Sequence, residues 1–232
     1  MTFQESHDSK SLMEKTLGFI GFGSFGQQIL SHLKQSSCES FSVTAFDDSN
    51  IVPKENEPDI TQLTAFLDYQ SQDYAHLEFF VSLGYKHLQK RLEIIHWLIE
   101  NNRKLANFVH PTVTMSSSAT LGQGVIIYPG SIIDHNVHIG NGAILNNGVI
   151  VSHDSLVGAG SFLAPGVTIC GNTKVGECTF LGASTTVSNN VHVGDNCVIG
   201  ISSLVQTNVS TGIHAIGNPL RILPEDKRII LS

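Results

Sequence analysis

Two folds are predicted along this chain of 232 residues: an α/β, Rossmann-like N-terminal domain and an all-β parallel β-helix. The first prediction rests on an apolar strand that runs into a glycine loop and then into a helical pattern. The second rests on an aliphatic residue at every sixth position from Val109 to Val205. The composition agrees, because 21 glycines with only 14% charged residues favour short strands and tight turns over long solvated helices.

The glycine loop has the spacing of a nucleotide-binding turn. An apolar strand over residues 16–20 leads into Gly21, Gly23 and Gly26, and a helix over 27–34 follows. A second strand over 41–46 delivers Asp47 and Asp48 about 20 residues beyond the last glycine, where such folds place an acid near a ribose. The pattern predicts NAD or another ligand that carries a diphosphate. The alternative is that the glycines only allow close packing of helix on sheet.

The rest of the N-terminal part continues the alternation of strand and helix. Residues 77–83 read as a third strand, Gly84 as a turn, 85–102 as an amphipathic helix and 105–109 as a fourth strand. Strands that alternate with helices predict a parallel sheet. This part should therefore be a small parallel α/β domain.

The six-residue repeat is unbroken over seventeen units. The fifth position of every unit, from Val113 to Val209, is small or β-branched and lies two residues before the next aliphatic. Both side chains therefore point inward on one short strand, while the residue between them points outward. Three units close a triangular coil of 18 residues that rises ~4.8 Å. A glycine recurs at this interval, at Gly122, Gly140, Gly158, Gly176 and Gly194.

Residues that are 18 apart are stacked in such a coil, so columns of side chains follow from the sequence. One corner column contains His135, His153 and Gly171, and Asp154 directly follows His153. An imidazole beside a carboxylate, with an unobstructed backbone N–H on the next coil, is what acyl transfer to an amine or hydroxyl requires. His135 is either a second functional group or a stacked surface residue. Cys178, at another corner, is expected to fill space rather than to carry an acyl group.

Composition excludes several partners. A net charge of −7 offers no basic field to nucleic acid. The four cysteines have no paired spacing, which predicts reduced thiols and a cytoplasmic location; they are Cys38, Cys170, Cys178 and Cys197. The chain begins without an apolar signal segment, and no 18 apolar residues run together, so we expect no membrane span.

These features together resemble one enzyme family. The chain is similar, over residues 16–223, to bacterial hexapeptide-repeat acyltransferases that act on amino sugars, the relatives of bacillosamine-pathway N-acetyltransferases and sialic acid O-acetyltransferases. The segments that carry the resemblance are the glycine loop, Asn146, His153-Asp154, Gly171-Asn172 and Gly217-Asn-Pro219. The resemblance implies a left-handed β-helix, a homotrimer with acetyl-CoA or another acyl-CoA between two prisms, and no metal.

The resemblance also implies a role for each matching residue. His153 would be the general base, Asp154 would hold or polarise it, Asn146 would help to position the base or the substrate, and the Gly171 amide would stabilise the oxyanion. The sugar nucleotide would contact Gly21, Gly23, Ser24, Phe25, Gly26, Asp47, Asp48, Gly84 and Tyr85. The amine of a UDP- or dTDP-linked 4-amino-4,6-dideoxyhexose would attack the thioester directly, in the synthesis of a surface glycan.

The implied contacts to CoA are Phe162, Gly171, Ala183, Ile201 and Pro219. Ala183 and Ile201 belong to a column of short or apolar residues that would leave room for pantetheine. Phe25 and Phe162 stand where relatives often have histidine, which leaves the exact sugar and acyl group open.

The predicted boundaries are an irregular extension over 1–15, the Rossmann-like sugar-nucleotide domain over 16–108, the acyltransferase β-helix over 109–215 and a tail over 216–232. Apolar residues point outward from the predicted prism, and a monomer would expose them; they are Ile126, Ile132, Ile144, Ile150 and Phe162. This pattern predicts self-association.

Other functions remain open on the sequence alone. A sialic acid-type O-acetyltransferase would use the same residues. A trimeric zinc lyase of the carbonic-anhydrase kind could use His135 and His153 on adjacent coils, but it gives the N-terminal domain no role. An ice-binding scaffold needs repetitive outward threonines, whereas the outward positions here are mixed. An NAD oxidoreductase would lack a separate substrate domain.

Overall fold

The computed structural model describes residues 15–36, 40–48, 60–229 and 231. The predicted extension over 1–15, except for Lys15, and Cys38 therefore lie outside the described residues. The described chain forms a parallel sheet with flanking helices, followed by a prism of stacked short strands. None of the helices in this part of the chain combines the length and the apolarity that a bilayer crossing requires.

The N-terminal part is a five-stranded sheet. Its elements are β1 (Lys15–Ile20), α1 (Ser24–Ser36), β2 (Phe41–Phe46), β3 (Ile60–Thr64), β4 (Glu78–Val81), α2 (Leu88–Glu100) and β5 (Lys104–Leu105). The strands are hydrogen-bonded in the order β3-β2-β1-β4-β5, and every pair is parallel. Because the order reverses between β1 and β4, a crevice opens at the carboxyl ends of these two strands, where open α/β sheets bind ligands.

Among the described residues, the sheet is accompanied by fewer α-helices than a Rossmann-like arrangement predicts. The α-helices connect β1 to β2 and β4 to β5, whereas the 3-10 helices Phe66–Gln70 and Gln72–Tyr74 join β3 to β4. Aromatic contacts hold this segment, since the Tyr69 ring lies edge-on to Trp97 at 5.4 Å. The parallel α/β sheet is as predicted, and the Rossmann-like assignment stays a prediction.

The predicted fourth strand over 105–109 is wrong as a single element. β5 pairs with β4, whereas Phe108–Val109 pairs with Ile126–Ile127 of the prism. Asn107 divides the apolar run, because its side chain accepts a hydrogen bond from the Val125 amide at 2.9 Å and donates one to the Gly122 carbonyl at 2.8 Å. The run is continuously apolar on both sides of Asn107, so periodicity alone does not show the break.

Other predicted boundaries shift by a few residues. α1 begins at Ser24, directly after Gly23, so Gly26 belongs to the helix rather than to the turn before it. The helix predicted over 85–102 begins as the 3-10 helix Tyr85–His87. β3 is absent from the prediction, because it is an exposed edge strand without an alternating apolar pattern.

The second part is a triangular prism with 18 residues in each coil except the last, where Val193 pairs with Val209 and Val198 pairs with His214, 16 residues apart. The first face contains Phe108–Val109, Ile126–Ile127, Ile144–Leu145, Phe162–Leu163, Phe180–Leu181, Val198–Ile199, His214–Ile216 and Arg221–Ile222. The second face contains Thr114–Met115, Ile132–Ile133, Ile150–Val151, Thr168–Ile169, Thr186–Val187 and Leu204–Val205. The third face contains Thr120–Leu121, His138–Ile139, Leu156–Val157, Lys174–Val175 and His192–Val193. Apart from Arg221–Ile222, which pairs antiparallel with His214–Ile216, the strands of each face are parallel. The sheets fit a left-handed β-helix, and the prediction from the six-residue repeat is confirmed. A last 3-10 helix, Glu225–Lys227, lies in the tail.

Three edges join the faces of the prism. Asn146 lies on the first edge, between the first and second faces; His153 lies on the second edge, between the second and third faces; and Gly160 lies on the third edge. Asn136 and Asp154, both on the second edge, have left-handed backbone angles, with φ of 54° and 58°. Asparagine and aspartate tolerate this conformation better than other residues with a side chain, which explains their presence at the turns.

Inward aliphatic side chains fill the prism. Val125 and Ile127, the two inward residues of one short strand, are both 0% exposed. Met115 is 42% exposed, although the repeat predicts that it points inward. It lies on the first strand of the second face, where no preceding coil covers it. Each interior coil is therefore stabilised by the coils on both sides of it.

The N-terminal part covers the first face. Ile126, Ile144 and Phe162 point outward from the prism, yet they are 1%, 0% and 5% exposed, because they pack in one cluster with residues of the sheet and of both α-helices. The prediction that a monomer exposes these three residues is therefore wrong. On the second face, Ile132 does remain 42% exposed, and Ile150 is partly buried.

A buried arginine of α2 is hydrogen-bonded to the backbone of the third edge. Arg91 is fully buried, and its Nη2 donates a hydrogen bond to the Gly160 carbonyl at 2.6 Å. Burial lowers the pKa of Arg91 to about 9. The neighbouring Cys178 is also buried, and burial raises the pKa of its thiol to about 11. A buried, protonated thiol agrees with the packing role predicted for Cys178.

Histidine rings meet where α1 contacts the start of the prism. His32 lies against Phe108, His110 and Tyr128, with ring-centroid distances of 6.1, 5.5 and 5.4 Å. Burial, and then the nearby His110, lower the pKa of His32 below its ordinary value. The folded chain therefore favours the neutral form of His32.

We expect the free energy of unfolding to decrease as the pH falls below about 6.5, the ordinary pKa of histidine. The unfolded chain then binds a proton that folded His32 resists, so the stabilisation is complete above this pH and is lost toward the lowered pKa of the folded state. Urea unfolding at about pH 7.5 and about pH 5.5 measures the change. His32→Phe should reduce this pH dependence, and His96→Gln, at an exposed position of α2, is the control. The same dependence in wild type and His32→Phe contradicts the prediction.

Candidate functional site

A cavity of about 1020 Å³ opens at the crevice between β1 and β4 and reaches the first face of the prism. The glycine loop, the turn after β4 and the first edge all contribute to it. The predicted site residues that line it are Gly21, Gly23, Ser24, Phe25, Asp47, Gly84, Tyr85, Asn146 and Phe162. Most of the sequence-predicted nucleotide contacts therefore surround one cavity.

Asp47 holds the glycine loop in place. Its Oδ2 accepts a hydrogen bond from the Phe22 amide at 2.6 Å, and the buried Ser82 hydroxyl donates one to the Gly21 carbonyl. Gly21 has a φ of 79°, a conformation that favours glycine. The loop is thus fixed before any ligand binds.

Gly26 and Asp48 do not line the cavity. A Cβ on Gly26 would lie 3.0 Å from both the Gly21 oxygen and Ser82 Oγ, so this glycine serves the close packing that the sequence left as an alternative. Asp48 accepts a hydrogen bond from the Phe66 amide at 2.8 Å and fixes the segment after β3. The prediction that these two residues contact the ligand is not supported by their positions.

Gly23 and Gly84 face open space. Gly23 is absent from the positive-φ residues of the described chain, and Gly84 has a φ of −75°. A Cβ on either residue would meet no atom within 4 Å. Neither backbone conformation nor internal packing therefore requires glycine at these positions. Close approach of a ligand to the backbone is a physical reason for glycine at both positions, and Gly23 also precedes α1, where glycine is favoured.

The rim of the cavity suits an anion. α1 begins at Ser24 and α2 begins at Leu88, so the N-termini of both helices lie beside the cavity, and the first N–H groups of a helix have no partner within it. Lys86 and His87 also line the cavity. Sequence reasoning missed these two residues, although their position directly after the Gly84 turn is a usable signal.

An aromatic wall closes one side of the cavity. Tyr85 lies 5.6 Å from both Phe162 and Phe180, and these two phenylalanines are stacked at 5.8 Å on the first face. The structure therefore places Phe162 in the wall of this cavity, in the same hydrophobic cluster as Phe180 and Ala183. The contact of Phe162 with CoA stays a prediction.

The predicted imidazole–carboxylate pair forms on the second edge. His153 Nδ1 and Asp154 Oδ2 are 2.9 Å apart, and about half of each side chain is exposed. The hydrogen bond from His153, and then one from Asn136, lower the pKa of the Asp154 carboxyl. An ionised carboxylate accepts a hydrogen bond from Nδ1–H. In a neutral ring that carries its proton on Nδ1, Nε2 keeps a lone pair for a reactant.

The His153 ring packs directly against the Gly171 backbone, in the space that a side chain at position 171 would fill. A Cβ on Gly171 would lie 2.5 Å from His153 Nε2, so a side chain at this position would displace the ring. Gly171 is buried, and its N–H donates no hydrogen bond to the described residues. The predicted stacking of His153 and Gly171 on one edge is therefore present.

The cavity and the His153 pair lie on different edges of the same chain. Asn146 faces the cavity from the first edge, and the strand Ile150–Val151 separates it from His153 on the second edge. No residue of the second edge lines the cavity. Within one chain, the structure thus does not bring Asn146 to His153.

The remaining predicted residues are accessible along the prism and tail. Ile201 is 64% exposed, Ala183 is partly buried and Pro219 is exposed. His135 Nδ1 lies 2.8 Å from Ser118 Oγ, and both roles predicted for His135 stay open. Among the described residues of one chain, no three His, Cys, Asp or Glu side chains form a group that could hold a metal.

Comparison with solved structures identifies proteins of the same fold, whereas no family model and no curated protein sequence matches the chain. A mutant of perosamine N-acetyltransferase from Caulobacter crescentus, in complex with CoA and GDP-perosamine, is 24% identical with a TM-score of 0.79; the match covers 92% of this chain and 98% of that chain. The acetyltransferase domain of PglB from Neisseria gonorrhoeae FA1090, in complex with acetyl coenzyme A, is 24% identical with a TM-score of 0.79; the match covers 90% of this chain and 100% of that chain.

A third structure has the same fold. WeeI from Acinetobacter baumannii AYE is 20% identical with a TM-score of 0.76, and the match covers 90% of this chain and 100% of that chain. Because all three matches cover at least 90% of this chain, the shared fold includes both the N-terminal sheet and the prism. The chain that resembles amino-sugar acyltransferases in sequence thus shares its fold with these three solved structures.

We expect Gly171→Ala to displace the His153 ring without unfolding the prism. Loss of the histidine hydrogen bond, the largest cause of the lowered pKa of Asp154, should raise the pKa of that carboxyl toward its ordinary value. Carbon-detected NMR titration of the carboxyl group measures this change. Asn189→Ala, one coil further along the same column, is the control. An unaltered Asp154 titration in a folded Gly171→Ala variant contradicts the claim that Gly171 leaves room for the His153 ring.

Proposed function

We propose that this protein is an acyl-CoA-dependent N-acyltransferase that transfers an acetyl group to the amine of a nucleotide-linked amino-deoxy sugar, in the synthesis of a surface glycan. One observation carries the proposal: the His153–Asp154 pair, at 2.9 Å, seated on a glycine whose N–H has no partner among the described residues. A base beside a free amide donor matches the two needs of acyl transfer, deprotonation of the nucleophile and stabilisation of an oxyanion.

The cavity supports a sugar nucleotide as the acyl acceptor. Two helix N-termini, Lys86 and the side-chain-free surfaces of Gly23 and Gly84 suit a diphosphate. Asp47, which also lines the cavity, would lie near the ribose or base. The Caulobacter crescentus structure of the same fold holds CoA and GDP-perosamine, so GDP joins UDP and dTDP as a candidate nucleotide. The sugar would extend toward the aromatic wall and Asn146.

In the proposed reaction, neutral His153 accepts a proton at Nε2 as the sugar amine attacks the thioester carbonyl of acetyl-CoA. The Gly171 N–H donates a hydrogen bond to the oxyanion of the tetrahedral intermediate, and Asp154 stabilises the imidazolium that forms. When the intermediate collapses, the C–S bond breaks and the leaving sulfur takes up the proton. The products are the N-acetylated sugar nucleotide and free CoA, and the chain itself carries no acyl group.

A homotrimer would complete the site. The cavity of one copy would face the second edge of the next copy, so that His153 and Gly171 act on a sugar held by the neighbour. The exposed Ile132 and partly buried Ile150 lie on the second face, between these two edges, and are suited to such an interface. CoA would lie between the prisms, along the column of Ala183 and Ile201 and near Pro219 in the tail.

We expect His153→Gln to lower kcat by ~10²–10⁴-fold, the usual effect of removing a general base. Release of CoA from acetyl-CoA is measured with UDP-, dTDP- and GDP-linked 4-amino-4,6-dideoxy sugars in parallel. His192→Gln, at an exposed position of the third face, should retain wild-type kcat. Near-normal kcat in His153→Gln refutes the mechanism, and the lack of transfer by wild type to any of these acceptors refutes the proposed function.

We expect two inactive variants to restore activity in mixed trimers. His153→Gln lacks the base, and Gly84→Leu fills the cavity at a position where a side chain meets no neighbouring atom. If each site combines the cavity of one copy with His153 of the next, random equal mixing should recover about a quarter of wild-type activity. Co-refolding of the two variants followed by the CoA-release assay tests this. Recovery no greater than that of the separate variants shows that one chain supplies the whole site.

A further inference from the structure

The carboxylate of Asp154 is held from two directions. Its Oδ2 lies 2.9 Å from His153 Nδ1, and its Oδ1 accepts a hydrogen bond from the side-chain amide of Asn136 at 3.2 Å. Asn136 is 18 residues before Asp154 and therefore lies one coil earlier in the same column of the second edge. The two oxygens thus have different partners, and rotation of the carboxylate breaks both contacts.

We propose that Asn136 is a positioning residue for the acyl transfer, because it orients the Asp154 carboxylate toward His153 without touching a reactant. The inference rests on the proposed function, in which His153 is the base. Nothing in the sequence pattern distinguished Asn136 from the other asparagines of its column.

Asn136 is itself fixed by the coil before it. Its backbone N–H donates a hydrogen bond to Ser118 Oγ at 3.0 Å, and its φ of 54° is a conformation that asparagine adopts readily. The Asp154 N–H donates to the His135 carbonyl at 2.9 Å. The backbones that carry the amide and the carboxylate are therefore locked to each other, so the side-chain contact costs little additional ordering.

Orientation matters here because the pair is half exposed. A solvated carboxylate that turns freely presents an oxygen to His153 for only part of the time, and the ring then loses the acceptor that holds the proton on Nδ1. The titratable groups on the adjoining coils of this edge are Asp134, His135 and Cys170. The charge of His135 also lowers the pKa of Asp154, but the Nδ1 atom of His135 contacts Ser118 Oγ rather than the Asp154 carboxylate.

The same column supplies a matched control. Asn190 lies two coils after Asp154 on the second edge and also has a left-handed conformation, with a φ of 59°. Its side chain makes no hydrogen bond with the other described residues. Substitution of Asn190 by glycine therefore reproduces the backbone effect of the same change at Asn136 without altering the carboxylate.

The test compares Asn136→Gly, Asn136→Asp and Asn190→Gly in the full-length protein. We expect Asn136→Gly to raise the pKa of the Asp154 carboxyl and to lower the population of the Nδ1–H tautomer of His153, measured by carbon and nitrogen NMR. Asn136→Asp should raise the pKa of Asp154 further, because a second carboxylate replaces the donor. Both should lower kcat by a few-fold to about tenfold, the loss expected for one exposed hydrogen bond, with the KM values of acetyl-CoA and sugar nucleotide unchanged.

Asn190→Gly should leave the spectra and kcat as in wild type. The inference is overturned if Asn136→Gly folds and keeps the wild-type titration of Asp154 and tautomer of His153, or if Asn190→Gly changes them equally. The NMR measurements do not depend on turnover. Their failure with an active enzyme rejects the role of Asn136 alone, whereas absence of acetyl transfer by wild type rejects the proposed function.

Discussion

The register of 18 residues between successive coils is the constraint on which the rest of the structure depends. Backbone hydrogen bonds run from each coil to the next, and the inward aliphatic pairs fill the space that the coils enclose. A shift of one residue in any coil would turn its inward side chains outward. Because the register is fixed, residues that are 18 positions apart in the sequence are neighbours on adjacent coils. This spacing places Gly171 against His153 and Asn136 against Asp154.

The contact between the two parts of the chain determines what the site can bind. The sheet and its helices bury the first face of the prism, so the outward Ile126 and Ile144 belong to an internal core. Arg91 and the aromatic wall around Tyr85 fix the sheet against the prism. As a result, the crevice at the reversal of strand order opens toward the first edge, and the second face stays uncovered by the N-terminal part.

The residues of the proposed site lie on two different edges of the prism. The first edge borders the cavity that suits a nucleotide, whereas the second edge carries a half-exposed base, its carboxylate and a free amide. The first set lies on the glycine loop, the turn after β4 and the first edge, whereas the second set lies on successive coils of the second edge. In the proposed reaction, the two sets meet between two copies of the chain.

The sequence by itself determined the prism, its coil length and the stacking of His153 on Gly171, because a repeat of six residues has one geometric solution and columns follow from it. It also located the glycine loop and Asp47, since local turn chemistry depends on adjacent residues. It did not reveal the break at Asn107, the exposed β3, the structural role of Asp48, or Lys86 at the cavity. Only the tertiary structure decided which face is covered and that Asn146 and His153 lie on separate edges, because the packing of one unit on another depends on the surfaces of both and leaves no periodic signal in the chain.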